Sequence, residues 1–152
     1  MTEEQRARLA ELKAENAASL ARKGIRTEME RIIDWIPDFN EKYVFADGET
    51  LRQALEFVDS RLSFKRPGWI DVERFPRRRE YAPDNADGRR IRICFLAGSA
   101  ELFQIAVEGR VCDYFADIED WDCVCPFMVL VYEDLGGFIF IDDNGDMTEV
   151  VL

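Results

Sequence analysis

Apolar residues recur with the period of a helix through the first sixty residues of the chain. The opening stretch spaces Leu9, Leu12 and Leu20 among Ala, Glu, Arg and Lys and reaches Gly24, a residue type that often ends a helix. We therefore predict a polar helix of about five turns that ends at Gly24. Its sparse apolar stripe is typical of a helix that lies on the surface of a protein or against a partner.

A second helix is predicted directly afterwards, because Thr27-Glu28-Met29-Glu30 has the spacing of a capping box. Apolar residues then recur at i, i+3, i+4 and i+7, namely Met29, Ile32, Ile33 and Ile36. Pro37 ends this pattern. Residues 42–46 have the composition of a short strand, and residues 47–48 that of a turn. A third helix is predicted from the apolar face formed by Leu51, Ala54, Leu55, Val58 and Leu62.

From Gly68 onward the apolar period changes to two, which favours strands. Residues 69–75 begin this part, and residues 76–88 contain two prolines, a glycine and three consecutive arginines, which predicts a loop. Further strands are predicted at residues 91–95, 102–107, 111–115, 127–132, 138–141 and 147–152. Glycine-containing turns are predicted within the hairpins at Glu108-Gly109, Leu135-Gly136-Gly137 and Asn144-Gly145.

This order of elements, helices first and strands afterwards, is typical of the α+β class. We expect N-terminal helices, within about residues 1–64, packed on a meandering antiparallel β-sheet formed by about residues 68–152. The chain has 152 residues, near the common size of one domain, and no repeat or low-complexity tract divides it. One domain over residues 1–152 is therefore predicted.

The charges are distributed unevenly along a chain whose net charge is −11. Because 47% of the residues are hydrophobic, we expect a folded protein with an acidic surface rather than a disordered chain. Residues 1–60 carry 9 basic and 13 acidic side chains, residues 61–92 carry 10 and 5, and residues 93–152 carry 1 and 13. Since Arg110 is the only cation after residue 92, the acidic side chains there must pair with earlier segments, face solvent or meet a partner.

No apolar stretch has the length of a signal peptide or a membrane span, so we expect a cytoplasmic protein without a membrane partner. The cysteines are then expected to be reduced, buried thiols: Cys94, Cys112, Cys123 and Cys125. Their spacing does not match a zinc site. Residues 142–146 do not match an EF-hand loop, because Met147 stands where glycine is required. We predict no metal and no cofactor.

Catalytic motifs are also missing. Histidine is absent, which removes the most common general acid or base near neutral pH. Neither Gly136-Gly137 nor Ala97-Gly98-Ser99 has the pattern of a phosphate-binding loop. We predict that the protein is not an enzyme, and we keep a small carboxylate-dependent hydrolase or transferase as an alternative, since pairs of Asp and Glu can divide the acid and base roles.

Residues 113–122 form the most suggestive segment, because they interleave five carboxylates with four large apolar side chains. Interface hot spots favour Trp and Tyr, and surrounding carboxylates attract a basic partner. In an alternative interpretation Phe115, Ile118 and Trp121 point into the core while the acids face water. The predicted partner-binding residues are Asp113, Tyr114, Asp117, Glu119, Asp120, Trp121 and Asp122.

A second candidate site is the basic cluster formed by Arg74, Arg77, Arg78, Arg79, Arg89, Arg90 and Arg92. Arginine binds carboxylates and phosphates through two parallel hydrogen bonds, so Arg77, Arg78 and Arg79 are candidate contacts for an anion or a carboxylate. In the alternative interpretation these arginines neutralise acidic side chains of the same protein. Nucleic acid is not expected as a partner, because the chain is dominated by negative charge.

No stretch of the chain matches a family motif, so function is predicted from class alone. A small acidic cytoplasmic protein without catalytic motifs resembles bacterial immunity proteins, antitoxins and phage-encoded inhibitors, which cover a basic active site or groove. We predict an immunity protein or antitoxin whose protein partner, a toxin enzyme, has a basic surface. The alternative is a phage-type nucleic-acid mimic that inhibits a nuclease or CRISPR effector, which requires carboxylates spaced like phosphates.

Overall fold

The longest element of the protein is a single N-terminal helix, α1 (Glu3–Trp35), in a computed structural model that describes all 152 residues. A capping box starts this helix: the Gln5 N–H donates to the Thr2 hydroxyl (3.2 Å) and the Thr2 N–H donates to the Gln5 side chain (2.9 Å). At 1.5 Å per residue the helix is about 50 Å long. Every residue up to position 23 is exposed, so the N-terminal part of α1 projects from the remainder of the protein.

The predicted break between two helices at Gly24 and Thr27 is wrong. Gly24 lies inside α1, where an added Cβ would be 2.8 Å from Cγ of Glu101. Glycine therefore permits a close approach to a neighbouring segment instead of ending the helix. The Thr27 hydroxyl donates to the Lys23 carbonyl one turn earlier (2.9 Å), as a threonine within a helix does, and caps nothing.

Four shorter helices follow: α2 (Phe39–Lys42), α3 (Gly48–Arg61), α4 (Val111–Ala116) and α5 (Ile118–Val124). The strands are β1 (Val44–Phe45), β2 (Phe64–Arg66), β3 (Trp69–Ile70), β4 (Arg78–Glu80), β5 (Arg90–Phe95), β6 (Ala106–Arg110), β7 (Met128–Tyr132), β8 (Gly137–Ile141) and β9 (Met147–Val151). Short 3₁₀ turns lie at Val72–Arg74 and Leu102–Gln104. The predicted α+β class is confirmed. None of the helices combines the length and the apolar composition needed to cross a membrane.

The predicted hairpin around Glu108-Gly109 is wrong, because Gly109 lies within β6 and residues 111–116 form α4. An added Cβ at Gly109 would lie 2.6 Å from Cδ1 of Tyr43, so this glycine makes room for an aromatic ring and does not form a turn. Residues 69–75 are divided between β3 and a 3₁₀ turn, and the predicted loop at 76–88 contains the edge strand β4. The predicted third helix is confirmed as α3.

Seven strands form one antiparallel sheet in the order β1-β6-β5-β7-β8-β9-β4, and β2 and β3 form a separate pair. The chain passes directly from β7 to β8 to β9, as the predicted hairpins at the C-terminal end require. In the middle of this region Ile139 lies opposite Leu130 on one side and opposite Glu149 on the other. The edge strand β4 pairs with β9 through Arg79 and Glu149.

Both faces of the large sheet are covered by buried side chains. One face packs Ile93 and Leu130 against Ile32 of α1 and Trp121 of α5. The opposite face carries Val129, which packs in a second cluster together with residues of α3. Because successive side chains of a strand point to opposite faces, burial on both faces makes the central strands apolar almost throughout. Helices α4 and α5 thus lie in one layer with the C-terminal part of α1.

Candidate functional site

The aromatic residues of the predicted binding segment face inward. Trp121 is fully buried and Tyr114 is 1% exposed, and their rings stack at a centroid distance of 6.1 Å. The Trp121 indole N–H donates to the Tyr43 hydroxyl at 3.3 Å. The two predicted aromatic anchors are therefore core residues, because the apolar sides of α4 and α5 pack on the sheet and leave only the polar sides exposed.

Asp117 is also buried, so its predicted role as a surface contact is not compatible with its position. Its Oδ2 accepts hydrogen bonds from the Lys42 ammonium (2.6 Å) and the Tyr43 hydroxyl (2.8 Å). Burial and the nearby Asp117 carboxylate raise the pKa of Tyr43, which keeps the hydroxyl protonated as a donor. Asp117 thereby fixes the end of α2 to the start of α5.

The four remaining acidic residues of the segment lie on the outer side of α4 and α5. Glu119 and Asp122 are exposed, and Asp113 and Asp120 are half-buried. None of the four carboxylates lies within 4.0 Å of a cationic side chain. We refer to Asp113, Glu119, Asp120 and Asp122 as the acidic face. Its negative charges are not neutralised within the protein.

An exposed tryptophan lies one turn of α1 after a residue that contacts α5, and the sequence interpretation missed it. Trp35 is 51% exposed and follows Arg31 by one turn of α1. The Arg31 guanidinium lies 3.4 Å from the Val124 carbonyl at the end of α5, so this side of α1 faces α5. Asp120 precedes Val124 by one turn on the corresponding side of α5. The signal in the sequence is that Trp35 falls outside the apolar stripe of its helix.

The candidate anion-binding arginines lie on the edge strand β4 or directly before it. Arg78 donates to the Phe75 carbonyl at 2.8 Å, and Arg79 forms an ion pair with Glu149 across β4 and β9. Arg77 is exposed and lies within 4.0 Å of no carboxylate. Four other members of the basic cluster lie within 4.0 Å of a carboxylate: Arg74, Arg89, Arg90 and Arg92.

Glu149 is the centre of this arrangement. It is 1% exposed and accepts hydrogen bonds from Arg79, from Tyr132 and from Arg89 (2.7 Å). Arg89 also pairs with Asp87 (2.7 Å) and lies over the Tyr132 ring. We refer to Arg79, Asp87, Arg89, Tyr132 and Glu149 as the arginine network.

Electrostatic effects in the arginine network favour the charged forms of its carboxylates. Burial opposes the charge of Glu149, but the hydrogen bonds from Tyr132, Arg89 and Arg79 outweigh burial and hold its pKa below the usual value. The hydrogen bond from Arg89 lowers the pKa of Asp87 to about 2. These arginines have carboxylate partners inside the protein, as the intramolecular interpretation of the basic cluster requires.

The four cysteines are free thiols in different environments. Cys94 and Cys125 are buried as expected, and burial raises the pKa of Cys94 to about 12. The expectation of burial is wrong for Cys123, which is exposed on the outer side of α5, while Cys112 is half-buried. No group of three or more Cys, Asp or Glu side chains is arranged to hold a metal ion.

Comparison with known proteins gives no family for this chain. No protein-family model matches it, and no curated protein matches it with significance. Function is therefore inferred from the chemistry of the surfaces described above.

Proposed function

We propose that this protein binds a basic protein through its acidic face and inhibits that partner by covering its active site. The proposal is supported mainly by one contrast. Most arginines of the basic cluster have carboxylate partners within the protein, whereas the four carboxylates of the acidic face have no cationic partner. Unpaired charges concentrated on one surface attract an oppositely charged partner and increase its association rate.

The acidic face is supported by a rigid layer. The buried residues Tyr114, Asp117 and Trp121 fix α4 and α5 to the sheet and to α2. A fixed surface loses less conformational entropy on binding than a mobile one. Trp35 supplies a large exposed aromatic side chain on the part of α1 that contacts α5, and tryptophan is among the residues that contribute most to interfaces.

The favoured class of partner is a toxin enzyme, which makes this protein an immunity protein or antitoxin. Enzymes that act on nucleotides or nucleic acids bind anionic substrates, and their active sites are cationic for that reason. An acidic protein surface competes for the same cationic groups. This class is also consistent with the predicted absence of a catalytic role, since inhibition by occlusion needs no chemistry.

Affinity capture from the source organism with three versions of this protein tests the proposal. The first bait is the parent protein, and the second carries Asp113→Asn, Glu119→Gln, Asp120→Asn and Asp122→Asn, the acid-neutralised variant. The third is a control that loses the same number of charges at exposed, unpaired positions elsewhere: Glu4→Gln, Glu15→Gln, Asp59→Asn and Glu80→Gln. We expect a basic protein to bind the parent and the control baits but not the acid-neutralised bait.

The captured protein is then expressed alone and together with the parent. The proposal predicts that the partner alone arrests growth of a test host and that co-expression of the parent restores growth. Equal capture by all three baits would contradict the assignment of the acidic face. A captured partner that is acidic, or that has no activity which the parent reduces, would contradict the inhibitor function.

A further inference from the structure

A cavity of about 330 Å³ lies between the helical layer and the turn that joins β8 to β9. Its apolar lining includes side chains from α5, β7, β8 and β9, namely Ile118, Met128, Ile141 and Met147. Three carboxylates also line it: Asp122 from the acidic face, and Asp142 and Asp143 from the turn. The cavity thus combines an apolar wall with negative charge at one place.

Tyr114 also lines this cavity, and its hydroxyl makes no hydrogen bond within the protein. The other three tyrosines, Tyr43, Tyr81 and Tyr132, each donate a hydrogen bond to a carboxylate of the protein. Tyr114 lines the cavity with a side chain that is 1% exposed, and it makes no such bond. The hydroxyl is not sealed from solvent, so it is open to a hydrogen bond with a ligand atom in the cavity.

The three carboxylates are available to that ligand. Asp122 has no ion pair, and partial desolvation of its carboxyl and the nearby Glu119 charge raise its pKa. The Oδ1 atom of Asp142 accepts the N–H groups of Asn144 and Asp146, which holds the side chain in place and leaves Oδ2 free. Asp143 lies 3.9 Å from Arg66, but both side chains are more than half exposed. An exposed ion pair of this kind contributes little to stability, so Asp143 can exchange Arg66 for a cationic group of a ligand.

We propose that the cavity binds an arginine side chain of the basic partner, an inference that rests on the proposed function for the source of the arginine. The guanidinium group donates hydrogen bonds to the Tyr114 hydroxyl and to the Asp122 carboxylate, and its methylene groups contact the apolar wall. The guanidinium has five N–H donors in a planar fork, which match several acceptors around one cavity, and its positive charge is attracted to the carboxylates; a neutral amide side chain has fewer donors and no such charge. The carboxylates are also not arranged to hold a metal ion.

Titration of the isotope-labelled protein with N-acetyl-arginine amide, followed by NMR, tests the site without the partner. The matched probe is N-acetyl-citrulline amide, which has nearly the same shape but no positive charge. We expect the arginine probe to shift the methyl signals of Met128, Ile141 and Met147, and we expect the citrulline probe to leave them unchanged.

Three variants identify the contacts. Asp122→Asn is expected to weaken binding of the arginine probe about tenfold, and Tyr114→Phe, which keeps the ring and removes only the unpaired hydroxyl, by about three- to tenfold. Asp120→Asn is the control, because it removes the same charge from α5 at a residue that does not line the cavity. Its effect is expected to be less than twofold.

Several results would overturn the inference. One is that both probes shift the methyl signals equally, and another is that the arginine probe shifts only signals outside the cavity. A third is that Asp120→Asn and Asp122→Asn weaken binding of the arginine probe equally, which would indicate general charge attraction. Probe binding in the cavity with no effect of the acid-neutralised variant on capture would leave the site intact and contradict the proposed function. Loss of capture without any probe binding would contradict the arginine site alone.

Discussion

The arginine network and the acidic face differ in whether their charged side chains have partners within the protein. In the arginine network the buried Glu149 accepts hydrogen bonds from two arginines and a tyrosine, and Arg89 also pairs with Asp87. On the acidic face four carboxylates of α4 and α5 have no cation within 4.0 Å. Removing one member of a buried charge pair leaves the other uncompensated and destabilises the fold, whereas charges without partners repel one another and remain available to another molecule.

The layer formed by α4 and α5 also has two different sides. The inner side of α4 and α5 is a packed core, and the outer side is an unpaired charged surface. Changes to the arginine network or to the inner side should therefore affect folding, and changes to the outer side should affect binding. Each of the following variants tests one part of this comparison.

The largest effect is expected for Trp121→Ala. Trp121 is fully buried in the core beneath the acidic face, and large-to-small changes of this kind cost about 3–5 kcal/mol. The matched variant Trp35→Ala removes the half-exposed tryptophan, and we expect a change in stability of less than about 0.5 kcal/mol. Urea unfolding followed by circular dichroism measures both. A similar loss of stability in the two variants would show that the inner and outer sides are not distinct.

A smaller loss is expected for Glu149→Gln in the arginine network. Removal of one partner from a buried ion pair costs about 3–5 kcal/mol, and we expect about 2–3 kcal/mol here because the Arg79 and Arg89 side chains are 72% and 44% exposed and can be rehydrated. The acid-neutralised variant removes four charges and is expected to unfold at the same urea concentration as the parent or a higher one. A large destabilisation of that variant would mean that the acidic face has partners within the protein.

The two regions are expected to respond to pH with opposite signs. The pKa of Glu149 is held below its usual value of 4.5, so its stabilising contribution is present above pH 4.5 and is lost as the pH falls further. The pKa of Asp122 is raised above 3.8, so ionisation of Asp122 destabilises the protein as the pH rises through that raised value. Unfolding measured from pH 2 to 7 should show a shallower acid decline for Glu149→Gln and a gain at neutral pH for Asp122→Asn. The reverse pattern would contradict the assignment of the two regions.

The smallest change in stability is expected at the tyrosines. Tyr43→Phe removes a hydroxyl that donates to Asp117 and accepts from Trp121, and a loss of about 1–2 kcal/mol is expected. Tyr114→Phe removes a hydroxyl without a partner and should change stability by less than about 0.5 kcal/mol, or raise it. Thermal unfolding compares the two variants. A clear loss in Tyr114→Phe would reveal a partner for its hydroxyl within the protein.

Much of the fold follows from local patterns in the sequence. The α+β class, helix α3 and the hairpins that join β7, β8 and β9 were predictable, because period and turn residues specify them locally. Two of the errors concern glycines. Gly24 and Gly109 have the composition of a helix end and a turn, yet each lies within an element, where the side chain of Glu101 or Tyr43 from elsewhere in the chain approaches it closely. Such long-range contacts leave no local pattern in the sequence.

The candidate site was predictable only in part for a similar reason. The sequence places Tyr114, Asp117 and Trp121 beside exposed acids, but only the fold shows that these three residues are buried. Ion pairing between Arg79 and Glu149 joins residues 70 positions apart, and sequence counts of charge cannot identify such a pair. The exposure of Trp35 was accessible from the sequence, since that residue lies outside the apolar stripe of α1.

The central claim is that the acidic face binds a basic partner through its unpaired charges. The most direct measurement is the association rate constant of the captured partner at several salt concentrations, with the parent, the acid-neutralised variant and the charge-matched control. Exposed charges act mainly by long-range attraction, which salt screens. We expect slower association and a smaller salt dependence for the acid-neutralised variant only. Association as fast as that of the parent, with the same dependence on salt, would contradict the claim.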